Sequence, residues 1–171
     1  RSAHRFDDFV YTLKERQTEA TEKLQRVRKL LTDRKADGVV IATELNLNWL
    51  TAGGKDNVVW VQRETPVKLL ITPTEQFLIA DNIEGPRMMT EELAGLGYDW
   101  RKYYWHGKEA DALGPLVKGK RILFDHAGTA LTYAEKPAEA LMSLQDLYYP
   151  ITDGELKKYR WLGKKTAEVL E

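Results

Sequence analysis

Four consecutive apolar residues, Val39-Val40-Ile41-Ala42, set the tightest limit on what this chain can fold into. A strand with one wet face alternates apolar and polar side chains, whereas an unbroken apolar run must be covered on both faces of a sheet. The run therefore predicts a central strand. It is entered from residues 6–35, which contain neither Gly nor Pro and repeat apolar side chains at helical spacing, Ala20, Leu24, Val27 and Leu31 among them. One long helix, or two in tandem, precedes the strand. Gly38 suits the left-handed turn after a helix end.

Residues 57–62, 67–72 and 76–80 are β-branched or aromatic runs separated by the turn sequences RETP and PTE, the pattern of an antiparallel meander. Helical patterning returns over 83–96, with Met88, Leu93 and Leu96 roughly on one face. One residue of the Met88-Met89 pair reads as core filler. Residues 109–117 form a short helix that Gly114-Pro115 is placed to split, and 131–144 and 153–171 are further helices. Segments 121–124 and 147–151 read as strands. Helices and strands mixed along the whole chain predict an α/β fold, a mixed β-sheet flanked by helices.

Composition narrows the function classes. The 171 residues carry 26 Lys plus Arg against 26 Asp plus Glu, so no net field is available to hold a nucleic acid or an anionic membrane. Cysteine is absent, which excludes disulfides, thiolate metal sites and cysteine nucleophiles and fits a reducing cytoplasm. No apolar run approaches the ~20 residues needed to span a bilayer. The opening RSAHRFDDF lacks the apolar centre of a signal peptide. A cytoplasmic protein is expected.

The motif search gives mostly exclusions. His4, His106 and His126 are scattered, with no pair at a spacing that would put two imidazoles on one metal. Neither a G-x-S-x-G elbow nor a phosphate-binding G-x-x-x-x-G-K-[ST] loop occurs. Asp125-His126 follows a strand, where α/β enzymes often place catalytic groups, but the sequence DHAGT reads more simply as a turn or helix cap. DWRKYYWHGK at 99–108 has the composition of a base-stacking surface. With zero net charge it reads instead as a half-buried edge segment whose aromatics pack while its cations stay wet. ELKKYRWLGKK reads as a solvated helix face.

Three stretches resemble one family. KLQRVRKLLTDRKADGVVIATELNLNWLTAGG (23–54) is similar to the opening of creatinase, prolidase and aminopeptidase P, where a long helix and a strand lead to Asn-x-x-Tyr-Leu-Thr-Gly. Asn46 matches the Asn, Trp49 takes the Tyr position, Leu50-Thr51 match, and Ala52 is inserted before Gly53-Gly54. LLITPTEQFLIADNIEGPRMMTEEL (69–93), with Ile83-Glu84 and Arg87 ahead of Glu91-Glu92-Leu93, is similar to the second half of that domain in bacterial Xaa-Pro peptidase relatives. ELKKYRWLGKKTAEVLE (155–171) resembles the linker and first helix of the catalytic domain that follows it.

The resemblance implies a creatinase/prolidase N-terminal domain with a ribonuclease H-like motif over residues 1–152. Residues 153–171 would be the linker and the start of an absent C-terminal metallopeptidase domain. It implies no metal in this part, with a divalent ion (Mn, Co or Zn) bound by two Asp, a His and two Glu in the C-terminal domain. A homodimer, a proline-containing peptide substrate and a role in active-site access are implied as well. The loop after the Asn-x-x-Tyr-Leu-Thr-Gly motif approaches the catalytic pocket in such proteins. Gly53 and Gly54 permit backbone angles closed to other residues, which makes Lys55, Asp56 and Asn57 the candidate substrate-facing residues; read without the family, GGKDN is a hairpin-type loop. The same architecture resembles the peptidase-like domain of the FACT histone chaperone, which binds without cleaving. Creatine-type amidino substrates stay open as a further alternative.

Overall fold

The apolar run forms the middle of a sheet. A computed structural model, describing residues 9–56 and 64–170, places β1 (Gly38–Thr43) between β2 (Glu64–Ile71) and β5 (Ile122–Phe124). β1 runs antiparallel to β2, with Val40 opposite Leu70, and parallel to β5, with Val40 beside Phe124. Beyond β2 lie β3 (Gln76–Asp81), antiparallel to it, and then β4 (Asp99–Tyr103), parallel to β3. The order β4-β3-β2-β1-β5 is a mixed five-stranded sheet. The predicted strand over 57–62 lies outside the described residues.

Helices cover both faces, which is why β1 is apolar throughout. On one face Val39 and Ile41 pack with Val27 and Leu31 of α1 (Leu13–Arg34). On the other, Val40 packs with Leu113 and Val117 of α4 (Glu109–Val117) and Ala130 of α5 (Ala127–Tyr133). α1 starts at a capping box: the Glu15 amide donates to Thr12 Oγ1 at 3.2 Å, and the Thr12 amide donates to the Glu15 carboxylate at 2.7 Å. Its left-handed C-terminal residue is Lys35 (φ 50°), not Gly38. Gly38 lies inside β1, where a side chain would meet the Ile71 carbonyl.

Several expected elements take a different form. The motif segment after β1, for which the sequence pattern announces no element, is a helix, α2 (Glu44–Leu50), which buries Leu47, Trp49 and Leu50. The helix expected over 83–96 is present but shorter, α3 (Glu84–Arg87) continuing without a break as a π-helical turn, Met88–Glu92, in which Met88 is buried in the core. Gly114-Pro115 does not split α4. The helix expected over 131–144 is divided: α5 ends at Tyr133 and α6 (Pro137–Ala140) starts with a proline, whose ring disfavours helix in the residue before it. Residues 147–151 are not a strand, because the chain turns tightly at Gln145–Leu147 before α7 (Asp153–Leu170). The first half of the aromatic and basic segment is β4, an edge strand: Trp100 is half-buried and donates to the Ala80 carbonyl at 3.0 Å, while Arg101 and Lys102 are exposed; against expectation Tyr104 and Trp105, beyond the strand, are exposed as well.

Candidate functional site

β1 and β5 run parallel, and their carboxyl ends open on one side of the sheet, the usual position for a site in α/β proteins. Asp125, the first residue after β5, ties that end together. Its carboxylate accepts from the Ala42 amide at 2.7 Å, the Thr43 amide at 3.2 Å, Thr43 Oγ1 at 2.6 Å and Asn46 Nδ2 at 2.7 Å. With four donors on two oxygens, Asp125 is a clamp on the β1–α2 junction and is not placed as a base. The sequence placed its cap on the wrong element: α5 begins after His126 with no side-chain cap.

Asn46 extends the clamp. Its Oδ1 accepts from the Tyr148 hydroxyl, so one amide bridges the loop after β5 and the segment before α7. The Asn46 side chain thus works across the fold and not within its own turn. Trp49, on the next turn of α2, packs against the Tyr148 ring with centroids 5.0 Å apart. α2 therefore has little freedom to shift, and the loop it feeds starts from a fixed point.

That loop is shaped by its own hydrogen bonds. Thr51 Oγ1 donates to the Leu47 carbonyl at 2.8 Å and accepts from the Gly54 amide at 2.9 Å, and the Gly53 amide donates to the Asn48 carbonyl at 2.8 Å. Positive φ falls on Ala52 (55°) and Gly53 (112°). The inserted Ala52 thus occupies a left-handed position that non-glycine residues seldom take.

Lys55 and Asp56 follow, and the two differ. The Lys55 amide donates to Glu92 Oε2 at 2.8 Å, and its carbonyl accepts from Arg87 Nη1 at 3.4 Å. Both backbone groups are held while the exposed side chain lines a cleft. Asp56 points inward and is 3% exposed; its carboxylate accepts from the Val67 amide at 3.2 Å and from Arg87 Nη2 at 3.3 Å. Burial pushes its carboxyl up to about 6, and the neighbouring Glu84 and Glu44 charges act in the same direction against the Val67 N–H and Arg87. Arg87 is shared, lying 2.9 Å from Glu84 and 3.3 Å from Glu92 as well. Asn57 lies outside the described residues.

The cleft beside Lys55 has a volume of about 1230 Å³ and is bounded by α2, the start of α5 and residues 141–148. Leu45, 65% exposed, and Leu141 give it apolar walls, and Asn48, Ser143 and Gln145 give it polar ones. His126 also lines it, with Nδ1 3.5 Å from Glu64 and 3.4 Å from Thr129 Oγ1. Among the described residues no group of three His, Cys, Asp or Glu is placed to hold a metal ion.

The family is decided by the whole pattern. Residues 23–153 match the model of the creatinase/prolidase N-terminal domain. The chain belongs to that family. Among solved structures, a Xaa-Pro dipeptidase from Bacillus anthracis is similar at 19% identity and a TM-score of 0.57 over 81% of this chain and 38% of its own. A prolidase from Pyrococcus horikoshii is similar at 17% identity and a TM-score of 0.53, over 74% of this chain and 33% of its own. The creatinase/prolidase N-terminal domain of a Streptococcus pyogenes X-Pro dipeptidase is similar at 12% identity and a TM-score of 0.52, over 76% of this chain and 98% of its own. The mixed sheet with flanking helices is thus the fold of this N-terminal domain, and the chain spans 38% and 33% of the first two proteins. Among curated proteins none matches.

Sequence reasoning singled out Lys55 and Asp56 but assigned no role to the side chains that hold them. Arg87 and Glu92 lay in plain view within the 69–93 resemblance. Their reach to a loop more than thirty positions earlier follows only from β2 and β3 folding back on β1.

Proposed function

We propose that this chain is the non-catalytic N-terminal domain of a Xaa-Pro dipeptidase or aminopeptidase P-like metallopeptidase of the cytoplasm, contributing to a homodimer and to active-site access. The observation that carries the reading is Lys55, clamped through both backbone groups with its side chain free at the cleft. A cation fixed in this way suits the carboxylate end of a short proline-containing peptide, and positioning is what a separate hydrolytic centre needs from a neighbouring domain. Asp56 serves by holding the loop, and Asn57 is kept as a candidate substrate-facing residue.

In this reading the divalent ion, Mn, Co or Zn, belongs to the C-terminal domain, where it supplies the activated water. No described residue of this chain is assigned as its ligand. Residues 153–171 are the linker and the start of the first helix of that domain. No helix among the described residues is long and apolar enough to cross a membrane.

Removing this domain from the longer protein tests the reading. Metal content of the remaining part should be unchanged, while kcat/KM on a Xaa-Pro dipeptide falls. Full activity without residues 1–152 would contradict it.

A further inference from the structure

α7 buries none of its residues, yet it lies against α1 in one defined place. Charge holds its first turns there, and further along Trp161 packs at a tilt on the Phe9 ring with centroids 5.0 Å apart. Lys23 of α1, 2% exposed, has its ammonium 2.7 Å from Glu19 of its own helix and 2.8 Å from Glu155 of α7. Lys158, almost one turn further along α7, reaches the other Glu19 oxygen at 3.0 Å, and the Tyr11 hydroxyl donates to that same oxygen. Two carboxylates and two ammoniums thus balance across the joint. Burial alone would raise the Glu19 and Glu155 carboxyls, but hydrogen bonds led by those from Lys23 hold both below the ordinary carboxylate value.

The joint is also close. A side chain at Gly154 would collide with the Glu19 carboxylate and come within 2.7 Å of the Tyr11 hydroxyl, so the first turn of α7 is built to lie directly on α1. Thr152 and Glu155 form a reciprocal cap, the Glu155 amide donating to Thr152 Oγ1 at 3.1 Å and the Thr152 amide to the Glu155 carboxylate at 2.9 Å. Glu155 therefore serves two ends at once, starting the helix and binding Lys23. The outer pair, Lys157 with Glu15 at 2.6 Å, is largely in water. Beyond the joint, Tyr159, Leu162, Val169 and Leu170 are exposed.

We propose that Glu19, Lys23, Glu155 and Lys158 form a clasp that sets the direction in which α7 leaves the domain, and that opening it frees α7 as an arm without unfolding the sheet. A helix held by apolar burial would expose core on leaving. This one exposes ion pairs that water can solvate and one ring contact, Trp161 on Phe9, that lies outside the core, while the helix keeps its own backbone hydrogen bonds. Glu19 and Lys23, four apart on α1, still pair with each other when α7 has gone. The clasp rests on the α1–α7 joint alone and not on the peptidase reading.

The chain has no cysteine, so two can be introduced without interference. Nitroxide labels on Gln25→Cys and Ala167→Cys, both at exposed positions, report the α1–α7 distance by double electron–electron resonance. One narrow distance is expected for the labelled chain, and a broad distribution when Glu155→Ala and Lys158→Ala are added, with the melting temperature kept within a few degrees. Lys157→Ala should leave the distance narrow. A broad distribution in the starting chain overturns the proposal. So does an unchanged distance or global unfolding in the Glu155/Lys158 variant, or equal broadening from Lys157→Ala.

Discussion

Arg87 of α3 donates through Nη1 to the Lys55 carbonyl at 3.4 Å and through Nη2 to the Asp56 carboxylate at 3.3 Å, so one guanidinium holds two consecutive loop residues in different ways. One contact leaves the Lys55 side chain free for the cleft. The other draws Asp56 into the interior. Replacing Lys55, Asp56 and Asn57 together would therefore mix a surface effect with a core one, and single substitutions separate them.

Asp56 gives a pH signature of known sign. Its carboxyl is raised from 3.8 to about 6 in the folded chain, so between these values the folded state binds more protons than the unfolded one. Its contribution is fully present below about pH 4 and is lost as pH rises through 6, an effect of up to about 3 kcal/mol. Urea denaturation of the parent and of Asp56→Asn should show the variant gaining relative stability from pH 4 to pH 7. A constant difference across that range would mean that Asp56 is not buried as described.

Val40 is fully buried between Leu70 of β2 and Phe124 of β5. Val40→Asp places a carboxylate there without a partner, at several kcal/mol against a whole-domain stability of roughly 5–15 kcal/mol. Circular dichroism should find the variant unfolded at 25 °C. Melting within a few degrees of the parent would place Val40 outside the core.

Trp49, 8% exposed and packed at a tilt against the Tyr148 ring, should cost about 3–5 kcal/mol when replaced by Ala. A loss below about 1 kcal/mol in urea unfolding would show that α2 is not held by its indole.

The chain alone should neither hydrolyse a Xaa-Pro dipeptide nor bind Mn, Co or Zn stoichiometrically. Isothermal titration calorimetry decides this, and one tight divalent site would reverse the assignment of the metal to another domain.

The parts of the fold that were legible in the sequence are those where local pattern and tertiary burial agree. An unbroken apolar run predicts a covered strand, and it is β1; the regular spacing of Ala20, Leu24, Val27 and Leu31 predicts one helix or two in tandem, and it is the single helix α1. α2 was hidden because Asn46 and Asn48 favour turns, and Thr43 makes no side-chain cap. It is helical because Asn46 is tied to Asp125 and Tyr148, both far away in sequence. The solvated reading of ELKKYRWLGKK missed Glu155 and Lys158 for the same reason, since their partners sit on α1. In the site, the position of Lys55 was legible from Gly53-Gly54. The inward turn of Asp56 was not, because nothing local distinguishes a carboxylate that meets Arg87 from one that meets water.

The central claim is that Lys55 is presented to a substrate, and it is tested most directly by kcat/KM on a Xaa-Pro dipeptide for Lys55→Ala in the longer protein, with its melting temperature measured alongside. An exposed side chain with no partner among the described residues should alter stability by no more than about 0.5 kcal/mol. The account predicts an unchanged melting temperature with kcat/KM reduced about tenfold or more, mainly through KM, as the loss of one positioning charge requires. Unchanged kcat/KM in an active parent would contradict it and leave LNLNWLTAGG as the support of a turn alone.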